Sequence, residues 1–140
     1  MSLLRVKQLK KSFSSPEGEN INVVDVDNFE LAASEFCGMR GESGSGKTTF
    51  LHLLAGILSP DDGLIELEGK NTVQMNNSEK DSLRAGTIGY VFQSFNLLQG
   101  FSCLENLKLA MSFGSNYNES FAEDLLIKVG LAHRLSHKPS

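Results

Sequence analysis

The chain has 140 residues, of which 40% are hydrophobic and only three are proline, as is ordinary for one soluble globular domain. Its 13 basic and 17 acidic side chains give a net charge of −4, which excludes the strongly basic surface typical of nucleic-acid binding. The two cysteines have no metal-ligand spacing, and no apolar run approaches the about 20 residues that span a bilayer. We therefore expect a single domain in a reducing, cytoplasmic setting, with no nucleic-acid partner and no direct membrane insertion.

The first third of the chain has the pattern of a small antiparallel sheet. Residues Leu3–Leu9 alternate partly in hydrophobicity and predict a first strand. Ser14–Asn20 combines proline with glycine and predicts a turn. Two further β-like runs follow at Ile21–Asp27 and Asn28–Ala33. We expect these runs to form an N-terminal β-subdomain.

A complete phosphate-binding motif follows, with the sequence Gly41-Glu42-Ser43-Gly44-Ser45-Gly46-Lys47-Thr48. It fits G-x-x-x-x-G-K-S/T at every fixed position. The run Glu35–Met39 before it predicts a buried strand, and the segment Thr48–Leu58 after it predicts a helix. Strand, loop and helix in this order are the context that the motif requires, so the segment predicts a nucleotide site.

The residue types of this loop suit a nucleoside triphosphate. Glycines let the backbone curl tightly around an anion, and the amides from Gly44 to Thr48 lead into the positive end of a helix. Lys47 would reach the outer phosphates, and the Thr48 hydroxyl would help to hold Mg²⁺. The loop therefore predicts a nucleotide such as ATP, with Mg²⁺, as the bound cofactors.

Two strands and a short helix are predicted after the loop helix. Ser59–Gly63 ends that helix in a turn, and Leu64–Glu68 alternates as a half-exposed strand. Ser78–Arg84 predicts a short helix. Thr87–Phe92 then predicts a buried strand, with Gln93 at its carboxyl end.

The last third of the chain has the pattern of two helices. Ser102 and Glu105 form a capping-box pattern that opens a helix to about Met111. Asn118 predicts the cap of a second helix, which ends just before Gly130. The apolar face of this second helix, which we expect to face the core, consists of Phe121, Ala122, Leu125, Leu126 and Val129.

In this order the segments resemble the ATP-binding subunits of ABC transporters over essentially the whole chain. Lys11-Ser12-Phe13 resembles the segment whose aromatic side chain stacks on the nucleotide base. The turn Pro60-Asp61-Asp62-Gly63 is similar to the family's, and Ile88–Leu98 resembles its glutamine loop. Glu105-Asn106 resembles the start of its helical subdomain. The glutamine loop and the segment His137-Lys138-Pro139-Ser140 are most similar to the lipoprotein-release and macrolide-export branch.

The resemblance implies an α/β fold, namely the partial core of a RecA-like P-loop NTPase. An N-terminal antiparallel β-subdomain and the start of an α-helical subdomain complete it. We expect one ABC-type nucleotide-binding domain over residues 1–140. Its β-rich part covers about residues 1–35 and 64–92, the loop strand and helix lie between at about 36–58, and the helical part covers about 93–140.

The resemblance also implies roles for individual residues. Phe13 would stack on the base, and Gln93 would complete the Mg²⁺ coordination and sense the γ-phosphate. The candidate catalytic residues are thus Gln93 and Lys47, and the candidate metal ligands are Thr48 and Gln93. The candidate nucleotide-contacting residues are Phe13, Gly41, Glu42, Ser43, Gly44, Ser45, Gly46, Lys47, Thr48 and Thr49.

One departure from the family limits the chemistry expected of this chain. The Leu-Ser-Gly-Gly-Gln signature that normally follows Lys-Pro-Ser is not in the sequence, and no apolar run ending in Asp-Glu follows the loop. Phosphoryl transfer to water needs a group that orients the attacking water. We therefore expect the N-terminal portion of such a subunit, which binds MgATP and does not hydrolyse it alone.

The partners implied by the resemblance are transmembrane permease subunits and a second nucleotide-binding subunit, as a homodimer. The subunit would power export across a membrane or release of lipoproteins from it. Its location would be cytoplasmic and peripheral, on the inner face of the plasma membrane through the partner subunits.

Two other classes of function are weighed against this one. A stand-alone regulatory module that binds nucleotide without hydrolysis would share the loop and predicts a soluble monomer. A small GTPase or a nucleotide kinase would share it too, but Asp-x-x-Gly and Asn-Lys-x-Asp are absent from the sequence. The four arginines are scattered rather than grouped as in a kinase lid.

Overall fold

The computed structural model describes residues 2–114 and 117–139. The chain divides into two compact units, Met1–Asp81 and Ser82–Ser140. In the described part of the chain, no helix combines the length and the apolar character needed to cross a membrane.

A four-stranded sheet forms the first unit. Its strands are β1 (Ser2–Ser14), β2 (Asn20–Ala32), β3 (Asp62–Leu67) and β4 (Lys70–Asn71). They lie in the order β2-β1-β3-β4, and every neighbouring pair is antiparallel. The predicted antiparallel opening is confirmed, although the two predicted runs in residues 21–33 form one 13-residue strand.

The core of the first unit lies between this sheet and helix α1 (Lys47–Leu54). The ring of Phe29 on β2 meets that of Phe50 on α1 edge to face, with 5.7 Å between the ring centroids. Complete burial of a Leu, Ile or Val side chain stabilises a fold by about 1.5–3 kcal/mol. The fully buried side chains of this core are Val6, Leu9, Leu53 and Ile65.

The first residues of β3 pack directly against the backbone of β1. Gln8 has a positive φ of 46°, and the pairing between β1 and β3 shifts between Lys7 and Lys10. Gly63 approaches this irregularity so closely that a Cβ atom on it would lie 2.6 Å from the Leu9 Cα and would overlap the Gln8 carbonyl. Gly63 also has a φ of +100°, so both its conformation and its surroundings require glycine.

Two predicted strands are wrong. Residues 35–39 and 87–92 contain no strand, and Phe36 and Val91 are 99% and 94% exposed. An apolar run predicts burial, but a strand also needs a neighbour that pairs with its amides and carbonyls. Within the described residues neither segment pairs with another strand, so the apolar pattern alone is not sufficient.

The remaining helices are α2 (Asn77–Gly86), α3 (Cys103–Ser112), α4 (Glu119–Lys128) and a short 3₁₀ helix (Ala132–Arg134). Helix α2 contains the sequence position at which the two units divide. The structure places all three predicted helices in this part of the chain. The predicted N-terminal caps of α3 and α4 are confirmed. Ser102 forms a complete capping box with Glu105, and the Asn118 side chain accepts from the Phe121 amide.

The predicted apolar face of α4 is only partly buried. Ala122 and Leu126, four residues apart on one line of the helix, are buried. Phe121 and Val129, on the adjacent line, are exposed. The prediction that the whole face packs in the core is therefore wrong for these two residues. The buried stripe of this ten-residue helix is narrower than the apolar face in its sequence.

We expect Gly63→Ala to destabilise the first unit more than Gly69→Ala does. Both positions have positive φ, and alanine there costs about 1–2 kcal/mol. Only Gly63 touches β1, whereas a Cβ atom on Gly69 would meet nothing within 4 Å. Urea unfolding should show an additional loss of about 1–3 kcal/mol at Gly63, and equal losses for the two variants would contradict the close contact.

Candidate functional site

The phosphate-binding motif forms an exposed loop that runs directly into α1. Its first part is a turn in which the Ser45 amide donates to the Glu42 carbonyl at 3.3 Å. Gly46 caps α1 in a left-handed conformation, with φ of 84°, and offers no side-chain acceptor. The amides of the first helical turn thus have no side-chain partner at the cap, and this is the usual arrangement of an anion site at a helix start.

The ammonium group of Lys47 is held by the loop itself. Its Nζ donates to the carbonyls of Gly41 at 2.9 Å and Glu42 at 2.5 Å, and to Ser45 Oγ at 3.2 Å. A positive charge is therefore fixed among loop atoms that are neutral acceptors. A phosphate oxygen that replaced one of these acceptors would form the stronger, charge-assisted hydrogen bond.

The loop rests on β2 through Gly46 and Val23. Lys11 pairs with Val24 and Ser12 pairs with Asn22, so Val23 is the extra residue of a β-bulge. A Cβ atom on Gly46 would overlap the Val23 carbonyl oxygen and would lie 3.2 Å from its side chain. The glycine of the motif is thus required for seating the loop as well as for its conformation.

Sequence reasoning did not find Val23. The residue has no charge and no motif, and a bulge depends on the register of two strands rather than on either sequence. Within the sequence there was no signal that could have found it.

Phe13 pairs with β2 close to the same bulge. Phe13 pairs with Ile21, which is two residues from Val23 on β2. Strand geometry then puts the Phe13 backbone on the order of 10 Å from Gly46. The ring is 42% exposed, and Lys11 Nζ lies 5.6 Å from its centroid. The structure thus brings together two segments that are about 30 residues apart in sequence.

Thr48 and Thr49 lie in the first turn of α1. The Thr48 side chain is exposed, whereas Thr49 is half-buried. The hydroxyl of Thr48 is thus accessible at the end of the helix where an anion would bind. In residues 2–114 and 117–139, no three His, Cys, Asp or Glu side chains are grouped so that they could hold a metal ion by themselves.

Gln93 belongs to the second unit and is exposed in a bend. The loop that follows it is held by Asn106, which sequence reasoning used only as part of the resemblance. Asn106 Nδ2 donates to the carbonyls of Leu98, Phe101 and Ser102, and its Oδ1 accepts from the Leu98 amide at 2.8 Å. An amide side chain in the first turn of a largely apolar helix is the signal that could have indicated this role.

Comparison with known proteins identifies the family of the chain. The family model described as ABC transporter matches residues 24–140. The lipoprotein-releasing system ATP-binding protein LolD of Idiomarina loihiensis is 38% identical over 142 residues, covering 99% of this chain and 62% of the relative. The LolD protein of Wigglesworthia glossinidia brevipalpis is 34% identical over 143 residues, covering 100% of this chain and 62% of the relative.

The fold is similar to that of a solved ATP-binding cassette. The dimeric structure of the cassette MJ0796 in a post-hydrolysis state bound to ADP and Pi superposes with a TM-score of 0.85 and 29% identity. The match covers 97% of this chain and 61% of the cassette, and it confirms the predicted class of a partial P-loop NTPase core.

The chain therefore spans about three fifths of the length of the proteins that it matches. With a family match over residues 24–140 and with this fold, the chain belongs to the ABC transporter family.

Proposed function

We propose that the chain binds MgATP through the loop Gly41–Thr48, as the ATP-binding part of a transporter for export or lipoprotein release. The observation that carries this proposal is the position of Lys47. Its ammonium group lies inside a glycine-rich curve that opens directly into α1. A fixed positive charge next to the N-terminus of a helix favours the binding of a polyphosphate.

The residues present fit the phosphates of a nucleotide. A Cβ atom on Gly44 would meet nothing within 4 Å, so the loop surface at this glycine is open. The first amides of α1 would bind phosphate oxygens, and Lys47 would exchange a loop carbonyl for an outer phosphate. Mg²⁺ would be held by the Thr48 hydroxyl and by the phosphates rather than by a carboxylate cluster.

We assign roles in nucleotide binding to two further residues, Phe13 and Gln93. Phe13 is exposed near the end of β1, where it pairs with Ile21 of β2, the strand on which the loop rests, and this exposure suits a ring that stacks on a base. Gln93 would contribute its amide oxygen to Mg²⁺ and report the presence of the γ-phosphate. This role rests on the resemblance of the segment Ile88–Leu98 to the family's glutamine loop.

We propose that this chain binds nucleotide without hydrolysing it. Its sequence has no apolar run ending in two acids after the loop, so it supplies no carboxylate at that place to orient water. Gln93 and Lys47 would then act on bound phosphate only as charge and metal partners. ATP turnover by the purified chain that is lost in Lys47→Ala would contradict this proposal.

The proposed partners follow from the relatives. LolD proteins are the ATP-binding proteins of lipoprotein-releasing systems, and the cassette MJ0796 is dimeric. We propose permease subunits and a second nucleotide-binding subunit as partners, with a peripheral position on the inner face of the plasma membrane. Crosslinking to permease subunits in native membranes tests this placement, and recovery of the protein only in the soluble fraction would contradict it.

We expect Lys47→Ala to abolish detectable MgATP binding, because it removes the charge held at the centre of the loop. Isothermal titration calorimetry on the 140-residue chain is the measurement. Lys70→Ala is the matched control, since this exposed lysine lies on β4 and should leave the affinity unchanged. Unchanged affinity in Lys47→Ala would overturn the assignment of the loop.

Two glycines of the loop should differ in their tolerance of alanine. A Cβ atom on Gly46 would overlap the backbone of Val23, which cannot turn away. A Cβ atom on Gly41 would meet the Ser45 Oγ at 2.7 Å, and this hydroxyl can rotate. We expect Gly46→Ala to abolish nucleotide binding and Gly41→Ala to weaken it about tenfold or less, a loss that corresponds to one hydrogen bond. The reverse order of affinities would contradict the seating of the loop on β2.

Phe13→Ala should weaken ATP binding by about 1–3 kcal/mol if the ring stacks on the base. Binding of inorganic triphosphate should not change, because it has no base. Calorimetry with both ligands separates the two contributions. Equal affinity of the unmodified chain for ATP and triphosphate would show that the base does not contribute to binding.

A further inference from the structure

Asp61 joins the turn after α1 to the end of β1. Its Oδ1 accepts from the Lys11 ammonium group at 2.7 Å, and its Oδ2 accepts from the Ser12 amide at 2.7 Å. Its own amide donates to the Lys10 carbonyl at 2.9 Å. One residue thus makes three hydrogen bonds to three consecutive residues of β1.

These contacts continue the sheet beyond the point where β3 begins. The pairing of β1 with β3 ends at Lys10 and Asp62, so β3 supplies no backbone acceptor for Ser12. The Asp61 carboxylate takes the place of that acceptor. The same hydrogen bonds, first that of Lys11 and then that of Ser12, hold the pKa of the Asp61 carboxyl below its usual value, so it is ionised at neutral pH.

The two groups that Asp61 binds, the Ser12 amide and the Lys11 ammonium, both lie next to Phe13. Ser12 is the preceding residue in the backbone, and Lys11 lies 5.6 Å from the ring centroid through its Nζ. The Lys11 side chain is only 17% exposed, so it is packed rather than free in solvent. Asp61 therefore restrains both the strand end that carries Phe13 and the cation next to its ring.

We propose that Asp61 is a positioning residue for the nucleotide base: by holding Lys11 and Ser12 it keeps the Phe13 ring in place to stack. This inference rests on the base-stacking role given to Phe13 in the proposed function. Asp61 is given no contact with base or phosphate in this proposal, since its two carboxylate oxygens accept from Lys11 and Ser12. Removing it therefore lowers affinity only for ligands that carry a base, and only while Phe13 is present.

The test compares Asp61→Ala with Asp62→Ala, each titrated with ATP and with inorganic triphosphate. Asp62 is the matched control, because its carboxylate accepts from the neighbouring Gly63 amide rather than from a residue of β1. We expect Asp61→Ala to weaken ATP binding about 5- to 10-fold and to change triphosphate binding by less than about twofold. Asp61→Asn, which retains an acceptor for Ser12 but not the charge for Lys11, should lie between.

Combining Asp61→Ala with Phe13→Ala tests whether Asp61 affects ATP affinity through the Phe13 ring. In a chain that already lacks the ring, Asp61→Ala should change ATP affinity by less than about twofold. A full additional loss in the double variant, or a parallel loss for ATP and triphosphate, would show a general structural role and overturn the inference. If Phe13→Ala leaves the ratio of ATP affinity to triphosphate affinity unchanged, the base-stacking proposal itself is wrong. If Phe13→Ala lowers the ratio and Asp61→Ala does not, only the role of Asp61 is wrong.

A second measurement needs no nucleotide. Amide hydrogen exchange followed by NMR should show faster exchange at Ser12 and Phe13 in Asp61→Ala, with β1 unchanged from Leu4 to Leu9. Protection at Ser12 equal to that of the unmodified chain would overturn the inference, even if nucleotide affinities had changed.

Discussion

The site depends on the contact between Gly46 and the backbone of Val23. Because no Cβ atom fits between them, the phosphate-binding loop can rest directly on the bulge of β2. This contact fixes where α1 begins and hence where Lys47 and the first amides of the helix lie. It also sets the distance from the loop to Phe13, since the strand end that carries the ring pairs with β2 next to the same bulge. Loop, helix and aromatic residue thus share one point of attachment.

The turn after α1 is a second point of attachment, to β1. Gly63 lies against the backbone at Gln8 and Leu9, while Asp61 binds the backbone and a side chain further along the strand. In the sequence this turn is a helix stop with proline, two acids and glycine. In the structure Asp61 and Gly63 each make a separate contact with β1. The loop before the helix is therefore fixed to β2, and the segment that follows the helix is fixed to β1.

The limits of sequence reasoning are clearest at the two strands that it predicted wrongly. The runs at residues 35–39 and 87–92 are as apolar as buried strands, but Phe36 and Val91 are exposed. Periodicity describes a segment by itself, whereas a strand exists only as part of a ladder of hydrogen bonds with a neighbour. Helix α4 shows a similar limit, because its sequence carries five apolar residues on one face but tertiary packing buries only Ala122 and Leu126.

By itself the sequence determined the local chemistry. The spacing of glycines and Lys47 defined the loop, and Ser102 and Asn118 defined two helix starts, because motifs and caps depend on residues close together in the chain. Only the tertiary structure decided that Val23 supports the loop, that Phe13 pairs with β2 near the same bulge, and that Asp61 binds β1. These relations join residues up to about 50 positions apart through strand register and a turn, and no local pattern encodes them.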